Sequence, residues 1–196
     1  MEVDTYLDNR YREEADVLKE IRLHGRGGLG CVKAAEVLVY AAVNEGKYGN
    51  SIPFFGFERQ GAPVTAFLKI SEEPIRAKNK IYNPDIVVVL DPTIMNAVDV
   101  LEGIKDNGIL ILNTKQDIKD IKLPEYVKTV ALVDATAISL ELLGKPITNT
   151  VMLGAFCKVT GIVGLDYVSE KVEELWGKKN VDALKRGFEE IQVYNL

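Results

Sequence analysis

Histidine and cysteine are scarce in this sequence: one histidine, His24, and two cysteines, Cys31 and Cys157, stand among 196 residues. A single histidine excludes a His-rich zinc site. Two thiols fall short of the four that a four-iron cluster takes. Their wide separation gives no disulfide framework, so a reducing, cytoplasmic location is the expectation. Long apolar runs are missing too. None reaches the ~18–20 residues of a membrane span, and the charged start MEVDTYLDNRYREEAD has no apolar stretch of the kind a secretory signal carries. No Lys/Arg cluster stands out, and a formal net charge of −5 speaks against a nucleic-acid partner. The expectation is therefore no membrane and no nucleic acid.

What is present is globular material, 47% hydrophobic and 27% charged, so nothing points to disorder. The length fits one domain with a core large enough to need no staple. The first residues, through Lys19, predict an amphipathic or solvated helical extension, and residues 20–196 a single α/β domain. Ile21–His24 reads as a short strand. Cys31–Asn44 carries a broad apolar stripe and reads as a buried helix. A strand and an irregular loop follow in GKYGNSIPFFG, then a strand over Ala62–Ile70. Pro84–Pro92, PDIVVVLDP, is a β-branched run bounded by prolines, the pattern of a parallel strand buried on both faces. A helix is expected over Thr93–Glu102. Strands are expected over Asn107–Thr114, opened by an Asn-Gly turn, and over Lys128–Thr136. Ala137–Leu143 predicts a short helix ended by Gly144. An apolar helix capped by Asn149 or Thr150 comes next, then helices over Val168–Trp176 and Asn180–Ile191. Alternating strands and helices predict a three-layer α/β sandwich with a mostly parallel sheet, Rossmann-like.

The first unusual stretch is Gly25-Arg26-Gly27-Gly28-Leu29-Gly30, a G-x-G-x-x-G between a strand and a helix. Glycines let the backbone turn tightly and let a ligand approach it, and the first N–H groups of the helix then face an anion. The dinucleotide version also wants an acid about 20 residues on to bind the ribose; Asn50 and Ser51 stand there instead. No G-K-[ST] follows, so the Walker pattern fails. Two readings stay open: contact with a bound group, or close strand–helix packing beside a subunit interface.

The second is PFFGFERQGAPVTAF, Pro53–Phe67, where three phenylalanines crowd a loop holding Glu58, Arg59, Gln60 and Gly61. Arg59 is an interface anchor or a phosphate donor, or half of a local ion pair with Glu58. His24 reads as structural more readily than as a general base. Cys31, near a helix N-terminus, sits where thiolate character is favoured. Asp91 and Asp134 each end a buried strand; ligand crevices lie at such ends, but a helix cap is the simpler role. No nucleophile–base pair, metal cluster or paired carboxylate is evident. A chain with ligand-like loops and no chemistry of its own reads as one subunit of a larger enzyme.

In series, HGRGGLG, AAEVLVYAA, EGKYGNSIPFFGFERQGAPVTAFLKI, NPDIVVVLDPTIM, GILILNT and VDATAISLELLGKPITNTVMLGAFCKVTGIV resemble the gamma subunit of the 2-oxoacid:ferredoxin oxidoreductases, most of all the pyruvate enzyme, over about Glu20–Gly187. The resemblance implies an oxidoreductase complex that turns pyruvate into acetyl-CoA, CO2 and reduced ferredoxin. Thiamine diphosphate, magnesium and 4Fe-4S clusters would sit on alpha, beta and delta partner subunits. This chain would bind no cofactor alone, would be inactive alone, would bury an apolar interface, and would lie near coenzyme A. Gly25–Gly30 and the loop around Glu58–Gly61 would face the active site or the coenzyme A route. The pattern departs at Leu29, where the family usually has Gln, and at Gln60, where it often has a second Arg, so an amide and a charge are lost. The alternatives are a free-standing nucleotide- or flavin-binding α/β domain using Gly25–Gly30, and an interaction scaffold whose glycine turn holds nothing.

Overall fold

The computed structural model describes residues 17–55 and 61–196. Seven strands form one sheet: β1 (Leu18–Arg26), β2 (Tyr48–Phe55), β3 (Pro63–Ser71), β4 (Ile86–Val89), β5 (Ile109–Asn113), β6 (Thr129–Val133) and β7 (Gln192–Asn195). Their spatial order is β2-β3-β1-β4-β5-β6-β7. The centre, β1-β4-β5-β6, is parallel. The flanking pairs β1/β3, β2/β3 and β6/β7 are antiparallel. Burial on both faces explains the unbroken Ile-Val-Val-Val of β4, all of it buried.

Among the described residues the α-helices are α1 (Cys31–Asn44), α2 (Ala135–Leu143), α3 (Asn149–Thr160), α4 (Leu165–Trp176) and α5 (Lys178–Glu190). All five pack on one face of the sheet. They share a single apolar core with Ile21, Leu23, Ile86, Val88 and Ile111. At the centre of this layer α3 and α5 touch backbone to backbone: a Cβ on Gly154 would fall 1.9 Å from the Leu184 carbonyl oxygen, and one on Gly187 would fall 2.0 Å from that of Val151. Only glycine fits such a crossing.

The opposite face has a smaller core, Val87, Val89, Leu110, Leu112, Val130 and Leu132, covered by irregular chain that carries Ile94, Val100, Leu101, Ile104 and Val127. Here the sequence reading of Thr93–Glu102 as a helix is overturned. A 3-10 helix runs over Pro92–Asn96, and turns follow. The Asp99 carboxylate accepts from Leu101 N–H at 3.0 Å, a local bond that competes with a helical one. Arg22, reaching from β1, donates to the Val100 and Glu102 carbonyls at 2.8 and 2.7 Å. These two bonds fix the turns from β1, 78 and 80 residues away in sequence.

Three smaller corrections concern element ends. Residues 1–16 of the expected helical extension lie outside the described residues, and Leu18–Glu20 are strand, paired with β3. Neither Asn149 nor Thr150 caps α3; Thr148 precedes the helix without a side-chain cap. The tail after α5 forms β7, for which exposed, mostly polar Gln-Val-Tyr-Asn gives no burial signal. Asn107 at φ 66 and Gly144 at φ 68 do take the turn and helix-end roles expected of them.

Candidate functional site

β1 and β4 run side by side and parallel. From β1 the chain leaves through α1 to β2 and β3 on one side; from β4 it leaves to β5 and β6 on the other. The gap between their carboxyl ends is therefore the topological switch point, where open α/β sheets place ligands. The glycine turn sits at this gap.

Each glycine has its own reason. Leu29 N–H donates to the Arg26 carbonyl at 3.1 Å, closing a turn with Gly28 at φ 96 in its third position, the type II requirement. A Cβ on Gly25 would meet the Cys31 Cβ at 3.2 Å, so Gly25 lets α1 start close against β1. A Cβ on Gly30 would meet the Asn149 amide nitrogen at 2.5 Å, so Gly30 lets the starts of α1 and α3 converge. Gly27 extends the β1/β3 ladder: its N–H donates to the Ala62 carbonyl at 3.0 Å and its carbonyl accepts from Gly61 N–H at 3.3 Å. The close-packing reading is thus supported at Gly25 and Gly30, whereas Gly28 is exposed with open space where a Cβ would lie.

Arg26, at the end of β1, reaches three neighbours. Its Nε lies 3.1 Å from Asp91 Oδ2 and donates to Thr93 Oγ1 at 3.0 Å; its Nη1 donates to the Gly61 carbonyl at 3.0 Å. Asp91 uses its other oxygen to accept from Thr93 N–H at 2.9 Å and Thr93 O–H at 2.7 Å. The expectation that Asp91 caps a helix is met in the 3-10 turn, and Asp134 caps α2 through Ala137 N–H at 2.9 Å. What the sequence did not reveal is the ion pair to Arg26, because 65 residues separate the partners. Its one signal was an acid at the end of a buried parallel strand.

Asn149 was read only as a cap. It is 4% exposed, its Oδ1 accepts from Thr150 N–H at 2.9 Å, and its amide nitrogen points at Gly30. Nearby, the Leu90 carbonyl accepts from Asn113 Nδ2 at 2.8 Å and Thr148 Oγ1 at 3.1 Å, tying the ends of β4 and β5 to the start of α3. Beyond them a cleft of about 710 Å³ opens along the carboxyl ends of β4, β5 and β6, between Thr93, Thr114, Gln116, Asp134, Thr136 and Leu140. Of the residues expected at the site, Gly25, Arg26, Gly27, Gly28, Leu29, Gly30 and Gly61 are brought together here; Glu58, Arg59 and Gln60 lie outside the described residues.

Among the described residues, neither His24 nor Cys31 is set up for proton chemistry at neutral pH. His24 is buried; its Nε2 accepts from Arg22 Nε at 3.0 Å, and burial beside that cation pushes its pKa down to about 3. Thiolate character at Cys31 is overturned: burial outweighs the helix start and pushes the thiol up to about 12, as it does for Cys157. Buried thiols in these positions do not suit a cluster, and among the described residues no group of three or more His, Cys, Asp and Glu could hold a metal. No helix among the described residues is long and apolar enough to cross a membrane. A dinucleotide is also poorly served. The strand that should carry the ribose acid, β2, stands two places from β1 with β3 between them, about 10 Å away instead of about 5.

Fold and edge together define a Rossmann-like α/β domain with a glycine turn at its switch point. The chain belongs to the pyruvate ferredoxin/flavodoxin oxidoreductase family, whose pattern matches residues 20–190. It is 52% identical over 183 residues to the pyruvate/ketoisovalerate oxidoreductases common subunit gamma of Thermococcus kodakarensis, covering 90% of this chain and 99% of that one. It is 46% identical to the NADH-dependent phenylglyoxylate dehydrogenase subunit gamma of Aromatoleum evansii, over 90% of this chain and 96% of that one. The crystal structure of pyruvate oxidoreductase subunit PORC from Thermotoga maritima superposes with a TM-score of 0.79 at 36% identity, over 90% of this chain and 98% of that one. The resemblance read from the sequence, and the α/β fold it implied, hold.

Proposed function

We propose that the chain is the gamma subunit of a multi-subunit 2-oxoacid:ferredoxin oxidoreductase, with pyruvate as the oxoacid. It would support coenzyme A-dependent oxidative decarboxylation to acetyl-CoA, CO2 and reduced ferredoxin in the cytoplasm. The observation that carries this is a match along 99% of a gamma subunit at 52% identity. The alpha, beta and delta partners would hold thiamine diphosphate, magnesium and the 4Fe-4S clusters; the donor set of this chain does not fit a cluster. We assign the choice of oxoacid to the partner chains. A relative whose name makes it common to pyruvate and ketoisovalerate enzymes supports that assignment, as does one serving a phenylglyoxylate enzyme. This chain would present the edge of Gly25–Gly30, Gly61 and Asn149 to coenzyme A. Backbone N–H groups at a helix start and a side-chain amide suit its phosphates.

The test is anaerobic affinity purification of the chain from its native source, with mass spectrometry of what accompanies it and assays with pyruvate, branched-chain and aromatic 2-oxoacids. Partners carrying thiamine diphosphate and iron–sulfur clusters, with coenzyme A-dependent pyruvate oxidation, are expected. A lone chain that retains a nucleotide would return the glycine turn to the free-standing reading.

A further inference from the structure

Arg26 is the one cation in the glycine turn, and an arginine beside exposed backbone donors invites a role as an anion ligand. The geometry points elsewhere. Its Nε is shared between the Asp91 carboxylate at 3.1 Å and the Thr93 hydroxyl at 3.0 Å, and its Nη1 is held by the Gly61 carbonyl at 3.0 Å. Asp91 in turn is fixed by two bonds from Thr93. The side chains of Arg26 and Asp91 are 30% and 17% exposed, so the pair is shielded more than a surface ion pair, and the acid offsets the charge that an anion would seek.

We propose that Arg26 and Asp91 form a positioning clasp. It registers the glycine turn against the end of β4 and the start of β3, so that the turn's backbone donors stand at a fixed place in the switch-point gap. The ladder already joins the turn to the Gly61–Ala62 segment through Gly27, and one guanidinium adds Asp91 and Thr93, beyond the end of β4, to that pair. Its planar fork is what allows this: lysine supplies one nitrogen and cannot reach Asp91, Thr93 and Gly61 together. Asp91 and Thr93 are positioning residues that act through Arg26, and Arg26 acts through the backbone.

The inference rests on the reading that coenzyme A meets this edge. It is tested in the assembled complex, with KM for coenzyme A and kcat measured separately under anaerobic conditions. Misplaced donors weaken binding more than chemistry. Asp91→Asn is therefore expected to raise KM for coenzyme A about ten-fold, with a much smaller change in kcat and none in KM for the oxoacid. Arg26→Lys should behave like Arg26→Gln despite keeping the charge, and Asp91→Asn combined with Arg26→Gln should be no worse than either alone. Thr93→Val removes one hydroxyl and should raise KM in the same direction by a smaller factor; it serves where a charge variant fails to assemble. The opposite pattern overturns the clasp. If Asp91→Asn lowers KM for coenzyme A while Arg26→Gln raises it and Arg26→Lys rescues, Arg26 is an anion ligand that Asp91 damps. Unchanged KM in all variants overturns it too. A wild-type complex without coenzyme A-dependent activity instead sinks the functional reading, whatever the variants do.

Discussion

The two faces of the sheet solve the same problem by different means. On one face five helices close an apolar core in which Ile21, Leu38, Leu68, Met152 and Phe156 are almost completely buried. On the other, β1 and β3 bury Arg22, His24 and Lys69 among irregular chain. Lys69 pairs with Glu20 at 3.0 Å and donates to Asn79 at 2.9 Å; Arg22 holds two carbonyls and His24. One face is held by shape, the other by a smaller apolar core to which buried, directed bonds are added. The difference teaches that a segment without enough local propensity for a helix can still be fixed as a cover, provided a buried side chain satisfies its carbonyls.

The comparison breaks most sharply at the α3/α5 crossing. Gly187→Ala puts a methyl 2.0 Å from the Val151 carbonyl oxygen, with backbone and not a flexible side chain in the way. The helices must part. The expected cost is about 3 kcal/mol or more, seen as a lower urea midpoint in circular dichroism. An unchanged midpoint would mean that the helix layer tolerates separation and that shape is not what holds this face.

Next in size is the hub of the opposite face. Arg22→Met keeps the length and apolar stem but leaves the Val100 and Glu102 carbonyls and His24 Nε2 without their donor. A loss of about 2 kcal/mol is expected. Hydrogen exchange should rise around residues 97–104 and stay unchanged in α3 and α5. Uniform exchange changes across both faces would remove the distinction between them.

How much of this could be read beforehand follows the same divide. The helix face was legible because its cause is local: the stripe of Cys31–Asn44, the Ile-Val-Val-Val run and the glycine after Leu143 each state their structure within one element. The glycine turn was legible as a motif for the same reason. The loop face was not. Pro92, Thr93 and Ile94 begin a 3-10 turn that looks like a helix, and the chain after it is held locally by Asp99 and, from far away in sequence, by Arg22. The Arg26–Asp91 pair and the convergence of Gly30 with Asn149 were hidden likewise, since each joins elements whose adjacency depends on the strand order. β7 has an exposed, polar pattern that marks no strand until β6 offers it an edge.

His24 sharpens the comparison through pH. Its pKa falls from 6.5 to about 3 in the folded chain, mainly through burial and then through Arg22. Unfolded, it binds a proton below pH 6.5; folded, it does not until about pH 3. The unfolded state therefore holds more protons in that window, and stability is lost as pH falls through it. At pH 5.5 the loss from this group is about 1 kcal/mol relative to pH 7.5. The difference between wild type and His24→Gln should shrink accordingly in acid. A difference that stays constant from pH 7.5 to 5 would mean that His24 takes up its proton in the folded chain.

The smallest effect belongs to the outer surface of the helix layer, where bonds are as directed as those of the loop face but stand in water. Arg186 on α5 contacts Glu190 and reaches Glu141 on α2 at 3.2 Å, with the glutamates 45% and 62% exposed. Solvent screening and side-chain entropy consume most of the attraction in such pairs. Arg186→Gln should therefore change stability by less than about 0.5 kcal/mol, and the change should vanish in 0.5 M salt, where the screening length is only a few ångströms. Arg22→Met should keep its cost in the same salt, because its partners are buried. A salt-resistant loss at Arg186 as large as that at Arg22 would show that burial is not what separates the two arginines.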